Sequence, residues 1–408
     1  MKPLGPIPPG FTAQDGELAV GGRSASALVE EAGGTPLFVY SAAMIRERVA
    51  LLRASLPPPL RLHYAVKANP FPPLLALMRA LVDGFDIASA GELELALAAG
   101  QAPAAMSFAG PGKRDAELEL AILRRVTLNV ESAGEARRAL RIAERIGTRA
   151  RLAIRVNPAF ELRGSGMKMG GGAKPFGVDE AQVPALAREV IAAGADWRGL
   201  HVFAGSQALD AEAIAETQGR VLELAARLTA EIDAPLPHLN MGGGFGIPYF
   251  HGDRPLDVAH VGEALAERLA TLPPELAETE LAVELGRYLV GEAGVYLTRV
   301  LDRKESHGQT FLVTDGGLHH VLAASGNFGT VVRRNYPLAI ANRFDAEPEE
   351  DASVVGCLCT PMDRLGDQAP LPRAEEGDLV AVFCTGAYGA SASPAAFLGQ
   401  GPAREMLV

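Results

Sequence analysis

The sequence is poor in cysteine, lacks any apolar run long enough to cross a membrane, and is short of positive charge. Each shortage removes a class of protein. Only three cysteines occur in 408 residues, Cys357, Cys359 and Cys384. Three cannot build a disulfide framework, so a reducing compartment is expected. Cys357 and Cys359 lack the second pair of ligands that a zinc site needs, and no metal is expected. No apolar stretch approaches the ~20 residues that span a bilayer. The best candidate, residues 71–82, is short and contains Arg79. The opening MKPLGPIPPG lacks the apolar centre of a signal peptide. The expectation is a cytoplasmic protein without a membrane partner. Lysine and arginine number 38 against 49 acidic residues, a net charge of −11. That argues against nucleic acid as the main partner, while leaving room for a local basic pocket. Hydrophobic residues at 48% and charged residues at 21% describe a globular chain.

What is present is an alternation. Eight apolar, β-rich runs lie between about residues 60 and 285: RLHYAV (61–66), FDIAS (85–89), MSFAG (106–110), VTLNV (126–130), RLAIRV (151–156), GLHVFA (199–204), PHLNMG (237–242) and LAVEL (281–285). Segments with helical spacing separate them, among them 73–81, 90–99, 133–146, 180–193 and 210–231. Eight strands each followed by a helix is the pattern of a (β/α)8 TIM barrel, with an open doubly wound sheet as the other solution. After residue 290 the runs GVYLTRVLD, TFLVTDGG, SVVGCLC and DLVAVFC are strand-like, and long helical patterns stop. The expected organisation is an α/β barrel over 42–289 and a C-terminal β-rich domain over 290–408. The first 41 residues read as turns and short strands (ELAV, LFVY). They could join the β-rich part, although the sequence alone does not show it.

Reactive groups of such barrels collect where the strands end. Lys67 follows the first strand in YAVKANP. It is either an amine that forms a Schiff base or a lysine emerging at the rim. The seventh strand runs into MGGGFGIPY, where Gly243, Gly244 and their neighbours either let backbone N–H groups approach a phosphate or make a tight turn. The eighth ends in VELGR. Glu284 could pair with a cationic ring nitrogen and Arg287 with a phosphate, or the two could form a rim salt bridge. An amine, a phosphate cradle and a carboxylate suited to a pyridinium together describe a pyridoxal 5'-phosphate site.

The motifs YAVKANP, FDIASAGELE, HVFAGSQ, NMGGGFG, VELGR, GCLCTPMD and CTGAYG occur in that order along nearly the whole chain. As a set they resemble the fold-type III pyridoxal-phosphate decarboxylases, the family of diaminopimelate, ornithine and arginine decarboxylases. The spellings GGGFGIPYF, DGGLHH and SGNFG are similar to the branch associated with exosortase gene clusters. The resemblance implies an alanine racemase-like barrel whose β-rich domain, joined by the N-terminal strands, completes the active site at a homodimer interface. It implies pyridoxal 5'-phosphate held by Lys67. Gly243, Gly244, Ser206, Arg287 and Tyr388 would be at the phosphate, and Glu284 at the ring nitrogen. It also implies that the partner subunit donates Cys359 and Asp363, with Cys359 as proton donor.

Three departures from the family pattern bear on this. The position that stacks on the cofactor, usually histidine, is Phe203, whose ring can still stack but cannot donate a hydrogen bond. His201 is expected to be a buried structural residue. Leu285 stands where proline is usual. Thr360 replaces the acid that meets a distal substrate amine in ornithine and diaminopimelate enzymes, with Asp363 as a possible substitute. Arg333 and Arg334 in VVRRNYP either lie near where relatives bind a substrate carboxylate or are two solvated arginines, and Tyr336 of the same motif is a further substrate-binding candidate. The expected activity is decarboxylation of an L-amino acid or diamino acid, with the departure at Thr360 leaning toward an acidic substrate or one tethered to an aminoacyl carrier protein. The alternatives are a diaminopimelate or basic amino-acid decarboxylase, an amino-acid racemase, and a non-catalytic decarboxylase-like binding protein.

Overall fold

In the computed structural model, residues 2–326 and 333–408 are described. The chain divides into two compact units. One comprises 49–246 and 255–286; the other comprises 1–48, 247–254 and 287–408.

The first unit is the barrel. Its strands are β1 (Arg61–Ala65), β2 (Gly84–Ile87), β3 (Met106–Phe108), β4 (Thr127–Val130), β5 (Arg151–Asn157), β6 (Asp196–Val202), β7 (His238–Gly243) and β8 (Glu280–Leu285). All pair in parallel, in chain order, and β8 pairs with β1 to close the cylinder. All eight expected runs are strands, and the open sheet is excluded. Outward positions such as Leu62, Tyr64, Phe85, Leu128, Leu152 and Leu239 are buried against the surrounding helices. Several helices are capped at the strand-end loops. The Ser89 and Ser132 hydroxyls accept the backbone N–H of Glu92 and Glu135, at 3.1 and 3.0 Å. Asp210 and Asp257 cap the helices Ala211–Ile232 and Val258–Ala270 in the same way.

The barrel is unusual inside. Barrel cores are normally filled by layers of branched aliphatic side chains. Here His63, Ser107, Asn129, Ala153, His238 and Asn240 line a cavity of about 310 Å³ reached from the strand starts. His63 lies 3.4 Å from Asp86, and its ring centroid is 5.9 Å from that of His238.

The second unit is built on one long strand, Gly294–Ser306. It pairs antiparallel with Leu37–Tyr40, Leu379–Phe383 and Gln309–Thr314. Leu37–Tyr40 pairs in turn, in parallel, with Arg404–Leu407. Leu37–Tyr40 is therefore a strand of the C-terminal sheet, a main-chain pairing that side-chain pattern could not reveal, while Thr12–Gln14, Glu17–Val20 and Arg23–Ser24 form a small sheet of their own. Among the described residues no helix is long and apolar enough to cross a membrane.

Candidate active site

Lys67 sits in a short 3-10 turn, Val66–Ala68, at the end of β1. Its Nζ lies 5.5 Å from the centre of the Phe203 ring, just beyond β6. The lysine and the aromatic ring proposed to flank the cofactor are thus brought together within the barrel unit.

Glu284, near the end of β8, is buried. Its Oε2 accepts a hydrogen bond from Asn240 Nδ2 at 3.0 Å and lies 3.2 Å from His201 Nε2. Burial alone would raise the pKa of this carboxyl. The positive environment of His201, Lys67 and Arg155 outweighs burial and holds it well below the usual carboxylate range. Arg155 is itself fixed by Glu131, Nη1 to Oε1 at 3.0 Å. The barrel therefore keeps an ionised carboxylate in a nearly dry place. A protonated pyridine nitrogen requires that partner.

The glycine run follows β7. Gly242 and Gly244 have φ of +72° and +84°. A Cβ at Gly242 would strike the carbonyl oxygen of Val202, at Gly243 that of Glu284, and at Gly244 that of Gly205. None of the three positions can carry a side chain, so their N–H groups are left bare, as close approach to a phosphate demands. Ser206 pairs with Met167 across a two-residue antiparallel ladder and is half-buried.

In the β-rich unit, Arg287 Nη1 donates to the Tyr249 hydroxyl at 2.8 Å. Its guanidinium lies 5.5 Å from the Tyr249 ring centre and 4.7 Å from that of Tyr388. Its Nε is buried without a hydrogen-bond acceptor among the described residues, a donor suited to an anionic oxygen. Tyr388 is held at φ +56°, a conformation costly for a side chain of its size. Tyr336 is buried with its ring 4.7 Å from that of Tyr249.

The remaining candidates behave differently. Cys359 is exposed and Thr360 half-buried. Asp363, expected to meet substrate, is buried; its two oxygens accept the backbone N–H of Leu318 at 2.6 Å and of Leu358 at 2.8 Å. It staples its own loop to 317–318 and is not presented to a ligand. Arg333 donates to the Arg364 carbonyl, and the Arg334 guanidinium stacks 3.8 Å from the centre of Phe250. Both expected carboxylate binders are engaged within their own unit. Residues 327–329 of SGNFG, and Val331 and Val332 beside the arginines, lie outside the described residues.

Three residues that no motif singled out surround Glu284. His201 is buried as expected, but against Glu284 and not in an inert core. Asn240 and Arg155 also reach this carboxylate, one by a hydrogen bond and the other by charge. The available signal was register. Arg155 pairs with His201, and His201 with Asn240, so three polar residues occur at one level of neighbouring strands. The residues of the barrel unit fit pyridoxal phosphate: an ionised buried carboxylate, a lysine beside an aromatic face and a loop whose glycines cannot carry a Cβ.

Comparison with known proteins agrees. The family model for the pyridoxal-binding domain of pyridoxal-dependent decarboxylases matches residues 42–291. An L-glutamyl-[BtrI acyl-carrier protein] decarboxylase from Niallia circulans is 36% identical over 91% of this chain and 88% of its own. A diaminopimelate decarboxylase from Archaeoglobus fulgidus is 33% identical over 93% of this chain and 89% of its own. Among solved structures, diaminopimelate decarboxylase from M. jannaschii in complex with L-lysine superposes with a TM-score of 0.86 at 25% identity, covering 98% of this chain and 93% of that one. The chain belongs to the pyridoxal-dependent decarboxylases, enzymes that join a TIM barrel to a β-rich domain and use pyridoxal phosphate to remove carbon dioxide from amino acids.

Proposed function

We propose that this decarboxylase removes the α-carboxylate of a glutamyl group carried as a side-chain thioester on a carrier protein. One observation carries the reading. The loop from Cys357 to Asp363 has a single carboxylate, Asp363, and that carboxylate is buried on two backbone amides. What the loop exposes is Cys359, part of Thr360, Pro361 and Met362, none of them a carboxylate. A distal ammonium placed against it would lose its paired charge at a cost of a few kcal/mol. A substrate with a neutral distal end would not. Decarboxylation needs a free α-carboxylate, so a tethered glutamyl group must be attached through its side chain, and its distal end is then uncharged. The similarity to a carrier-protein glutamyl decarboxylase supports the same choice.

When bound, pyridoxal phosphate supplies an electron sink for the pair left at Cα as carbon dioxide departs. The protein supplies the rest. Lys67 would anchor the cofactor covalently, with the Phe203 ring beside it. Glu284, kept ionised, would hold a proton on the ring nitrogen and so maintain the sink. Gly243, Gly244, Ser206, Arg287 and Tyr388 would bind the phosphate. Cys359 of a second copy of the chain would deliver a proton to Cα. In balance, one proton is taken up and one carbon dioxide is released for each amine formed.

The test is carbon dioxide release from a panel. It holds glutamyl thioester on a carrier protein and free glutamate, aspartate, diaminopimelate, lysine, ornithine and arginine. The tethered glutamyl group is expected to give the highest kcat/KM by at least an order of magnitude. Diaminopimelate as the best substrate by a similar margin would overturn the reading and place the chain with its diaminopimelate decarboxylase relatives.

A further inference from the structure

The cavity, the buried charges and the polar strand positions of the barrel converge on Asn240. It is buried, in β7, with one face on the cavity and its amide between two parts of the proposed cofactor site. Asn240 pairs with Ala282 of β8, but the next partners are Gly243 and Glu284. One extra residue on β7 makes a bulge, which takes a main-chain N–H out of the ladder. A buried N–H without an acceptor is costly. Asn240 itself repairs this: its Oδ1 accepts the N–H of Gly242 at 2.9 Å, two residues on. Its Nδ2 is thereby turned to Glu284, to which it donates at 3.0 Å. The amide orientation is unambiguous, because the reverse would oppose two oxygens at Glu284 and two N–H groups at Gly242.

We propose that Asn240 is a positioning residue that ties the glycine loop to the carboxylate, and so sets the phosphate end and the ring-nitrogen end of the cofactor site in register. The role needs an amide, since one side chain must accept at one end and donate at the other. An aspartate could still accept from Gly242, but it would set a second carboxylate against Glu284 unless a proton lay between them. The proposal is independent of the substrate. It rests on assigning Glu284 to the ring nitrogen.

The experiment measures the affinity of the apoprotein for pyridoxal phosphate between pH 6 and 9, together with thermal stability and turnover. The proteins are wild type, N240D, E284Q and the swap N240D/E284Q. N240D is expected to bind the cofactor roughly tenfold or more weakly at neutral pH. Its affinity should recover as the pH falls and the carboxylate pair gains a proton. In the swap, the amide introduced at position 284 donates to the carboxylate introduced at position 240, and the tie is remade with its polarity reversed. Its affinity should return to that of E284Q and lose the pH dependence, while turnover stays as low as that of E284Q. If N240D folds poorly, thermal stability becomes the readout, and the swap must regain it. Wild-type affinity of N240D across the range, or a swap no better than N240D, would overturn the proposal. Wild-type turnover by E284Q would instead overturn the assignment of Glu284.

Discussion

At the scale of single residues, the site separates into groups named by motif and groups found only by contact. Lys67 and Glu284 belong to the first kind, since an amine and a carboxylate at strand ends have a chemistry that spacing already suggests. Lys67→Ala is expected to abolish turnover and the visible absorbance of bound cofactor, with the fold intact by circular dichroism. Turnover near wild type in that variant would remove the lysine from the mechanism. Glu284→Gln should retain cofactor and lose roughly 10²–10³ in kcat, the order seen when one preorganised electrostatic group is deleted. Steady-state kinetics on cofactor-loaded enzyme decide it, with an unchanged kcat counting against the electron-sink role. His201 and Asn240 belong to the second kind. No motif marks them, because their importance comes from which oxygen of Glu284 they meet, and that depends on barrel register. Asp363 errs in the other direction. It lies in the right motif, but its carboxylate is taken up by backbone amides of Leu318 and Leu358.

At the scale of elements, the barrel strands were legible because each is a short apolar run between helical segments, and periodicity reports that directly. The long strand Gly294–Ser306 was legible only in part. Its exposed end, Asp302–Ser306, is polar and continues as a hairpin arm, so apolar pattern fades before the pairing does. The glycine loop after β7 carries a sharp expectation. At Gly244, φ is +84° and a Cβ would meet the carbonyl of Gly205. Gly244→Ala should lower stability by about 1–3 kcal/mol and weaken cofactor binding together, read by denaturant melts and by titration of the apoprotein. The polar strand starts carry another. Burial, helped by the nearby positive charge of His63, Arg198 and His201, depresses the His238 pKa to about 3 from the usual 6.5. Between those values the unfolded chain holds more protons, so stability falls as the pH drops below about 6.5, by up to about 1.4 kcal/mol per unit. His63 acts in the opposite sense: burial disfavours its charge, but Asp86 and Glu284 prevail and raise its pKa. Its stabilisation is present at low pH and is lost as the pH rises through that raised value. His238→Asn should therefore flatten the acid limb of a stability–pH curve. An unchanged limb would show that the loss arises elsewhere.

At the scale of the whole molecule, the sequence carries fold class and cofactor well and assembly poorly. Fold class is spread over many residues and survives the departures at Phe203, Leu285 and Thr360. An interface is a patch without periodicity, and nothing in the spacing of GCLCTPMD says which copy of the chain it serves. The exposed thiol of Cys359 gives a way to ask. If each active site takes Lys67 from one subunit and Cys359 from its partner, Lys67→Ala and Cys359→Ala each inactivate both sites of their own dimer. A mixed dimer then collects both changes in one site and leaves the other intact. With free exchange of subunits half of the dimers are mixed, so an equimolar mixture should regain about one quarter of wild-type activity. The mixture must be held long enough for exchange, which size-exclusion chromatography of differently tagged chains monitors. Recovery toward that level would establish a shared site in a symmetric dimer. If mixed dimers form and activity stays at the level of the separate variants, each site is built from one chain, and the proton donor must be sought in the subunit that carries the lysine.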